Sequence, residues 1–103
     1  MEDESKPSAT AAFLRNRDMW IRAVVESPDL GHAAVRVGVH IAMRMSGEGD
    51  RAWPAIKTIA KSTGVSVRGV IDALARLEDE KFLVCLRRRN VGNHYWLRFI
   101  WDE

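Results

Sequence analysis

The stretch WPAIKTIAKSTGVSVRGVIDALARLEDEKFL, residues 53–83, holds a short helical pattern, a turn signal and a longer helical pattern in close succession. Ile56, Ile59 and Ala60 fall on one side of a helix expected over about 55–62, since residues three and four apart share a helix face. Gly64 then permits a backbone conformation that a side chain would oppose, and Val65 follows as a plug for the gap between the helices. Ser66 stands where an N-cap is needed for a helix from 67 to about 81, because its hydroxyl accepts from an orphan amide of the first turn. Val67, Val70, Leu74 and Leu77 anchor one side of that helix. The opposite side carries Arg68, Asp72, Ala75 and Arg76, with an acid between two bases.

Upstream, Phe13, Leu14, Arg17, Trp20, Ile21, Val24 and Val25 recur at helical steps, giving a helix over about 10–26 that ends at Ser27, Pro28 and Asp29. This helix either packs on its own domain or pairs with another copy. A second helix, about 31–45, is apolar over most of its circumference; Arg36, His40 and Arg44 form one narrow wet stripe, so the rest is expected to be buried. Ser46, Gly47, Glu48, Gly49 and Asp50 read as a loop. Downstream the period changes to two. Phe82, Val84 and Leu86 alternate with Leu83, Cys85 and Arg87, and Tyr95, Leu97, Phe99 and Trp101 alternate with Trp96, Arg98 and Ile100. Two strands joined near Asn90, Val91, Gly92 and Asn93 form a hairpin. Residues 1–9 read as a disordered tail and 10–103 as a single domain.

Composition narrows the function classes. A chain of 103 residues supports one small core. No apolar run approaches a membrane span and the first residues are acidic and polar, so no membrane partner and a cytoplasmic location are expected. Cys85 is the single cysteine, which rules out an intrachain disulfide and reads as a small buried apolar residue. His32, His40 and His94 lie at no metal-ligand spacing, and the sequence has no phosphate-binding loop, dinucleotide fingerprint or nucleophile motif. No enzyme activity, cofactor or metal is expected. The net charge of +2 conceals an asymmetry: residues 1–50 hold six Lys/Arg against eight Asp/Glu, whereas residues 51–100 hold ten against four. Concentrated basic charge of this kind is what a polyanion-binding face requires.

Trp53-Pro54, Ile59-Ala60-Lys61, Thr63-Gly64-Val65-Ser66, Val70, Ala73-Leu74 and Leu77-Glu78 together resemble the winged helix-turn-helix family, in particular small bacterial DNA-binding domains of plasmid, phage and mobile-element proteins. The resemblance spans about residues 30–100. It implies an α+β, mostly α fold: a winged helix-turn-helix with an extra N-terminal helix and a C-terminal β-hairpin wing. It also implies double-stranded DNA as partner. The helix from Val67 would enter the major groove, making Ser66, Val67, Arg68, Gly69 and Asp72 candidates for base or nearby phosphate contact, with Arg76 further along. Lys57, Thr58 and Lys61 would meet the DNA backbone, and Arg87, Arg88, Arg89, Asn93 and His94 would form the wing tip. The family includes transcriptional regulators, replication initiators and excisionase-like recombination directionality factors. Self-association on DNA, and a recombinase, integrase or transcription machinery as further partner, belong to the same implication. The chain departs from the pattern at Gly69, where a polar residue is common, at Asp72, where a basic or neutral one is usual, and at Ala55, which replaces a capping Ser.

Each candidate has a plainer reading. The Arg68, Asp72, Arg76 stripe also fits a solvated helix face with i, i+4 ion pairs, in which Asp72 orients Arg68. Three arginines at 87–89 also keep an exposed strand edge soluble, and alternation prevents all three from pointing the same way. Trp20, Trp53, Trp96 and Trp101 read as core or core-edge residues, with an interface as the alternative for Trp20 and Trp101. A protein-interaction module with a winged fold is the competing function.

Overall fold

The computed structural model describes residues 9–45, 55–88 and 92–99, with the backbone alone described at 9–10, 87–88 and 92–93. The element order is α1 (Ala9–Glu26), α2 (His32–Ala42), α3 (Ile56–Thr63), α4 (Val67–Asp79), β1 (Leu83–Arg88) and β2 (Gly92–Leu97). This is the α+β winged helix-turn-helix expected from the sequence, with the extra N-terminal helix and the C-terminal hairpin in place. The tail expected over 1–9 falls, apart from Ala9, outside the described residues.

The apolar face of α1 packs on its own domain. Phe13, Trp20 and Val24 are buried, and Arg17, which shares that stripe, donates from Nη1 to the Met45 carbonyl at 2.7 Å. Val25, also expected in the stripe, is exposed, because one helical step from buried Val24 turns it 100° away. Trp20 is fully buried, which excludes it from an interface. Its indole Nε1 donates to the Phe82 carbonyl at 2.9 Å, and its ring meets the Phe82 ring edge-on at 6.2 Å. The same carbonyl accepts the Arg98 amide, so one oxygen ties α1 to the root of the hairpin. Phe13 against Phe99, 5.9 Å between ring centroids, closes the other end of this contact.

Helix α2 is shorter than the sequence pattern suggests. Beyond Ala42 the backbone tightens: Arg44 and Met45 donate to carbonyls three residues back rather than four. Met45 is buried as expected, but Met43 is exposed and Val35 and Val39 are half-buried. The apolar circumference of α2 is therefore wider than the core it faces. Gly38 marks the crossing of three helices, since a Cβ there would lie 3.3 Å from the Trp20 ring and 3.4 Å from both Leu77 methyls.

Helix α4 stops at Asp79, two residues before the expected end. Phe82 N donates to Leu77 O at 2.9 Å and Lys81 N to Glu78 O at 3.0 Å, the bond pair of a Schellman cap. Lys81 occupies the left-handed position of that cap with φ 69°. Leu77 and Phe82, both buried, supply its apolar contact.

The hairpin is antiparallel, pairing Leu83 with Leu97, Cys85 with Tyr95 and Arg88 with Gly92. Leu83 and Tyr95 are buried, and Cys85 and Leu97 pack against the core beside them. Val84 and Leu86 are exposed on the other face, opposite Trp96 and His94. Trp96, expected in the core or at its edge, is instead half-buried on this outer face, paired with exposed Val84, because it alternates with Tyr95, which faces the helices. Trp53 and Trp101 lie outside the described residues. The buried apolar residues of all four helices and both strands form one cluster.

Candidate nucleic-acid interface

The turn between α3 and α4 is set by three neighbouring residues. Gly64 adopts φ 77° and its amide donates to Ala60 O, ending α3 where the sequence placed the reversal. Thr63, buried, donates from Oγ1 to Ile59 O at 2.7 Å and accepts from the Val65 amide at 3.3 Å. Val65 packs against the core as the expected plug. The signal for the Thr63 role in the sequence is a hydroxyl just before a helix-ending glycine. Ala55 starts α3 with no side-chain cap.

On the exposed side of α3 stand Lys57, Thr58 and Lys61, together with Ser62. Ser66 caps α4 by accepting the Gly69 amide at 2.9 Å. Its hydroxyl therefore orders the helix start rather than standing free. Gly69 is explained by space: a Cβ at this position would come within 2.7 Å of Val65 Cγ1 and 3.1 Å of Ser66 Oγ. A side chain here would crowd both the plug and the cap, a physical reason for glycine at a position where the resemblance implied a polar residue.

Arg68 projects from the first turn of α4 with its side chain 84% exposed, and Asp72 lies one turn on at 67%. Arg68 Nε is 3.4 Å from Asp72 Oδ1. This contact engages Nε and not the two terminal nitrogens, the pair with which a guanidinium can recognise a planar double acceptor. Beside them Val67 is 45% exposed and Ile71 46%, one helical turn apart. Ile71 was not singled out from sequence. Its position next to Val70 in an apolar-looking helix hid it, and only the angular offset from Val70, Leu74 and Leu77 separates it from the core set.

Arg76 is held differently. Its Nε donates to the Asp29 carbonyl at 3.0 Å and its Nη2 lies 3.6 Å from Glu80. The side chain braces α4 against the segment before α2. With Glu78, Asp79 and Glu80 following, three acids outnumber Arg76 at the C-terminal end of α4, whereas Arg68, the more exposed of the two bases, projects at the N-terminal end.

Arg87 and Arg88 occupy the tip end of β1, opposite Asn93 and Gly92; Arg89 lies outside the described residues. His94 pairs with Leu86 in the ladder and contacts the Trp96 ring at 6.3 Å. On α2, His40 Nε2 accepts from Arg44 Nε at 3.1 Å. Partial burial, reinforced by the Arg44 charge, lowers the His40 pKa below the ordinary 6.5. Among the described residues no helix is long and apolar enough to cross a membrane.

A search of curated proteins found no match. A family profile described as a helix-turn-helix domain matches residues 29–83, more than half of the chain, from the segment before α2 to the first residue of β1. The matched region contains the exposed face of α3, the Gly64 turn and the whole of α4. The chain belongs to this helix-turn-helix domain family, whose fold is a DNA-binding one.

Proposed function

We infer that the chain binds double-stranded DNA sequence-specifically, with the N-terminal half of α4 in the major groove and the hairpin tip on the flanking backbone. The observation that carries this reading is Arg68, exposed on the first turn of α4 and paired through its Nε with Asp72. Its two terminal nitrogens match the O6 and N7 acceptors of guanine. Val67 and Ile71 supply apolar contact beside it, as thymine methyl groups require. Lys57, Thr58 and Lys61 on α3, and Arg87, Arg88, Arg89, Asn93 and His94 on the hairpin, meet phosphates. Arg76, further along the same helix and still 51% exposed, is steadied by its bond to the Asp29 carbonyl and reaches at most the edge of the interface. The protein performs no chemistry itself. It serves either as a transcriptional regulator or as an excisionase-like recombination directionality factor of a mobile element.

The experiment is binding selection from a random duplex pool, followed by measurement on the selected and scrambled duplexes. Arg68→Ala is expected to cost about 1–3 kcal/mol on the selected site and to flatten preference at one base pair. Arg88→Glu weakens selected and scrambled duplexes alike. Equal effects of the two variants on both duplexes would remove α4 as the reading element. Footprint length separates the two roles: a regulator covers one or two half-sites at a promoter, and an excision factor covers several direct repeats beside an attachment site.

The exposed apolar residues Val84 and Leu86, beside Trp96 on the outer hairpin face, support a second reading, a protein-interaction module. In that case the selection returns no enriched sequence.

A further inference from the structure

The outer face of α1 bears a charge order that matches its own reversal. Around the helix, Arg15, Asp18, Met19, Arg22 and Glu26 lie opposite the buried Phe13, Trp20 and Val24, and all five are exposed. Along the axis their charges run plus, minus, plus, minus at positions 15, 18, 22 and 26, with Met19, 47% exposed, and half-buried Ala23 between them. The four-residue spacings of Asp18 with Arg22 and of Arg22 with Glu26 would permit pairs within the helix. Neither forms. Among the described residues the strip makes one ion pair, Arg17 with Asp18 at a long 3.9 Å, and Arg15, Arg22 and Glu26 make none.

A second α1 laid antiparallel on this strip sets Arg15 against Glu26 and Asp18 against Arg22 in both directions, with Met19 and Ala23 at the centre. A parallel copy sets like charge on like. Self-complementarity under a two-fold rotation is the requirement for an isologous contact. We propose that this face of α1 is the docking site for a second copy of the chain, with α1 antiparallel to α1 about a two-fold axis near Met19 and Arg22.

The arrangement leaves α4 free for DNA. Trp20 of α1 and Leu77 of α4 both converge on Gly38, so the outer faces of the two helices look away from a shared core in different directions. An 18-residue helix is about 27 Å long, and a single helix pair covers less than the roughly 1,000 Å² typical of a stable interface. The pair is therefore weak in free solution and is reinforced when two half-sites hold two copies side by side, a reinforcement that rests on the DNA reading above.

The test is sedimentation equilibrium of the full chain over a wide concentration range at low salt, without DNA. The wild-type weight-average mass is expected to rise with concentration towards that of a dimer. Arg22→Glu is expected to reduce the association constant at least tenfold, and the double variant Asp18→Arg/Arg22→Glu to restore it, since each acid again meets a base. Circular dichroism confirms that both variants fold. A wild-type chain that stays monomeric throughout, an Arg22→Glu variant that associates like wild type, or a double variant that does not recover would each overturn the proposal. Affinity for a duplex carrying one half-site, measured on the same variants, reports on DNA binding separately.

Discussion

At Gly69 the absence of a side chain is set by its neighbours. In an exposed helix, Gly→Ala normally gains about 1 kcal/mol from helix propensity. Here the added methyl meets a β-branched side chain at 2.7 Å, and Val65, stiff at χ1 and packed against the core, must shift to admit it. Gly69→Ala is expected to lower stability by about 1–3 kcal/mol, the range for overpacking, as read by denaturant unfolding. A gain in stability would show that Val65 yields. Asp72 places an acid on the same exposed face. It subtracts charge from a face that would otherwise attract phosphate, and it fixes the Arg68 guanidinium by its Nε edge. Asp72→Ala is expected to tighten binding to scrambled duplexes while loosening sequence preference. Unchanged binding would make the Arg68–Asp72 contact an ordinary surface pair, worth about 0.3–0.5 kcal/mol.

Among the elements, α4 is defined as much by its ends as by its apolar face. Ser66 caps its start, and a Schellman pair ends it with a lysine where glycine is usual. A non-glycine residue at φ 69° costs roughly 1 kcal/mol, so Lys81→Gly is expected to raise the melting temperature by several degrees in a domain of this size. A lowered melting temperature would indicate that the Lys81 side chain contributes more than its backbone conformation costs. The start of α4 was legible in sequence because Gly64 and Ser66 are strong local signals. Its end was not, because nothing about Glu80-Lys81 announces a left-handed turn; the stop is imposed by burial of Phe82 against Trp20 and Leu77. The same limit applies to α2, whose apolar pattern runs past Ala42 although the backbone tightens there. Alternation gave the hairpin its two strands, but the choice of inner face came from Tyr95 and Leu83 packing on the helices. The bond from Arg76 to Asp29 and the exposure of Ile71 were not legible for a related reason: they depend on a distant segment and on the helix offset, neither of which is a local motif.

For the whole molecule, the central question is whether the charge asymmetry along the chain becomes a working surface. The fold gathers Lys57 and Lys61 of α3 and Arg68 of α4 around one helix-turn-helix, and β1 carries Arg87 and Arg88 to the tip of the hairpin that follows. Acidic Glu78, Asp79 and Glu80 collect at the far end of α4, and the outer strip of α1 carries balanced charge. The net charge of +2 is thus a poor guide to the field at the candidate interface. Phosphate contacts release counterions, so affinity for duplex DNA must fall with salt in proportion to their number. The most direct measurement is the dissociation constant for a duplex across a salt series. About four to six phosphate contacts predict a slope of log affinity against log salt of about −4 to −5. A flat response, or no binding at physiological salt, would contradict the DNA-binding account.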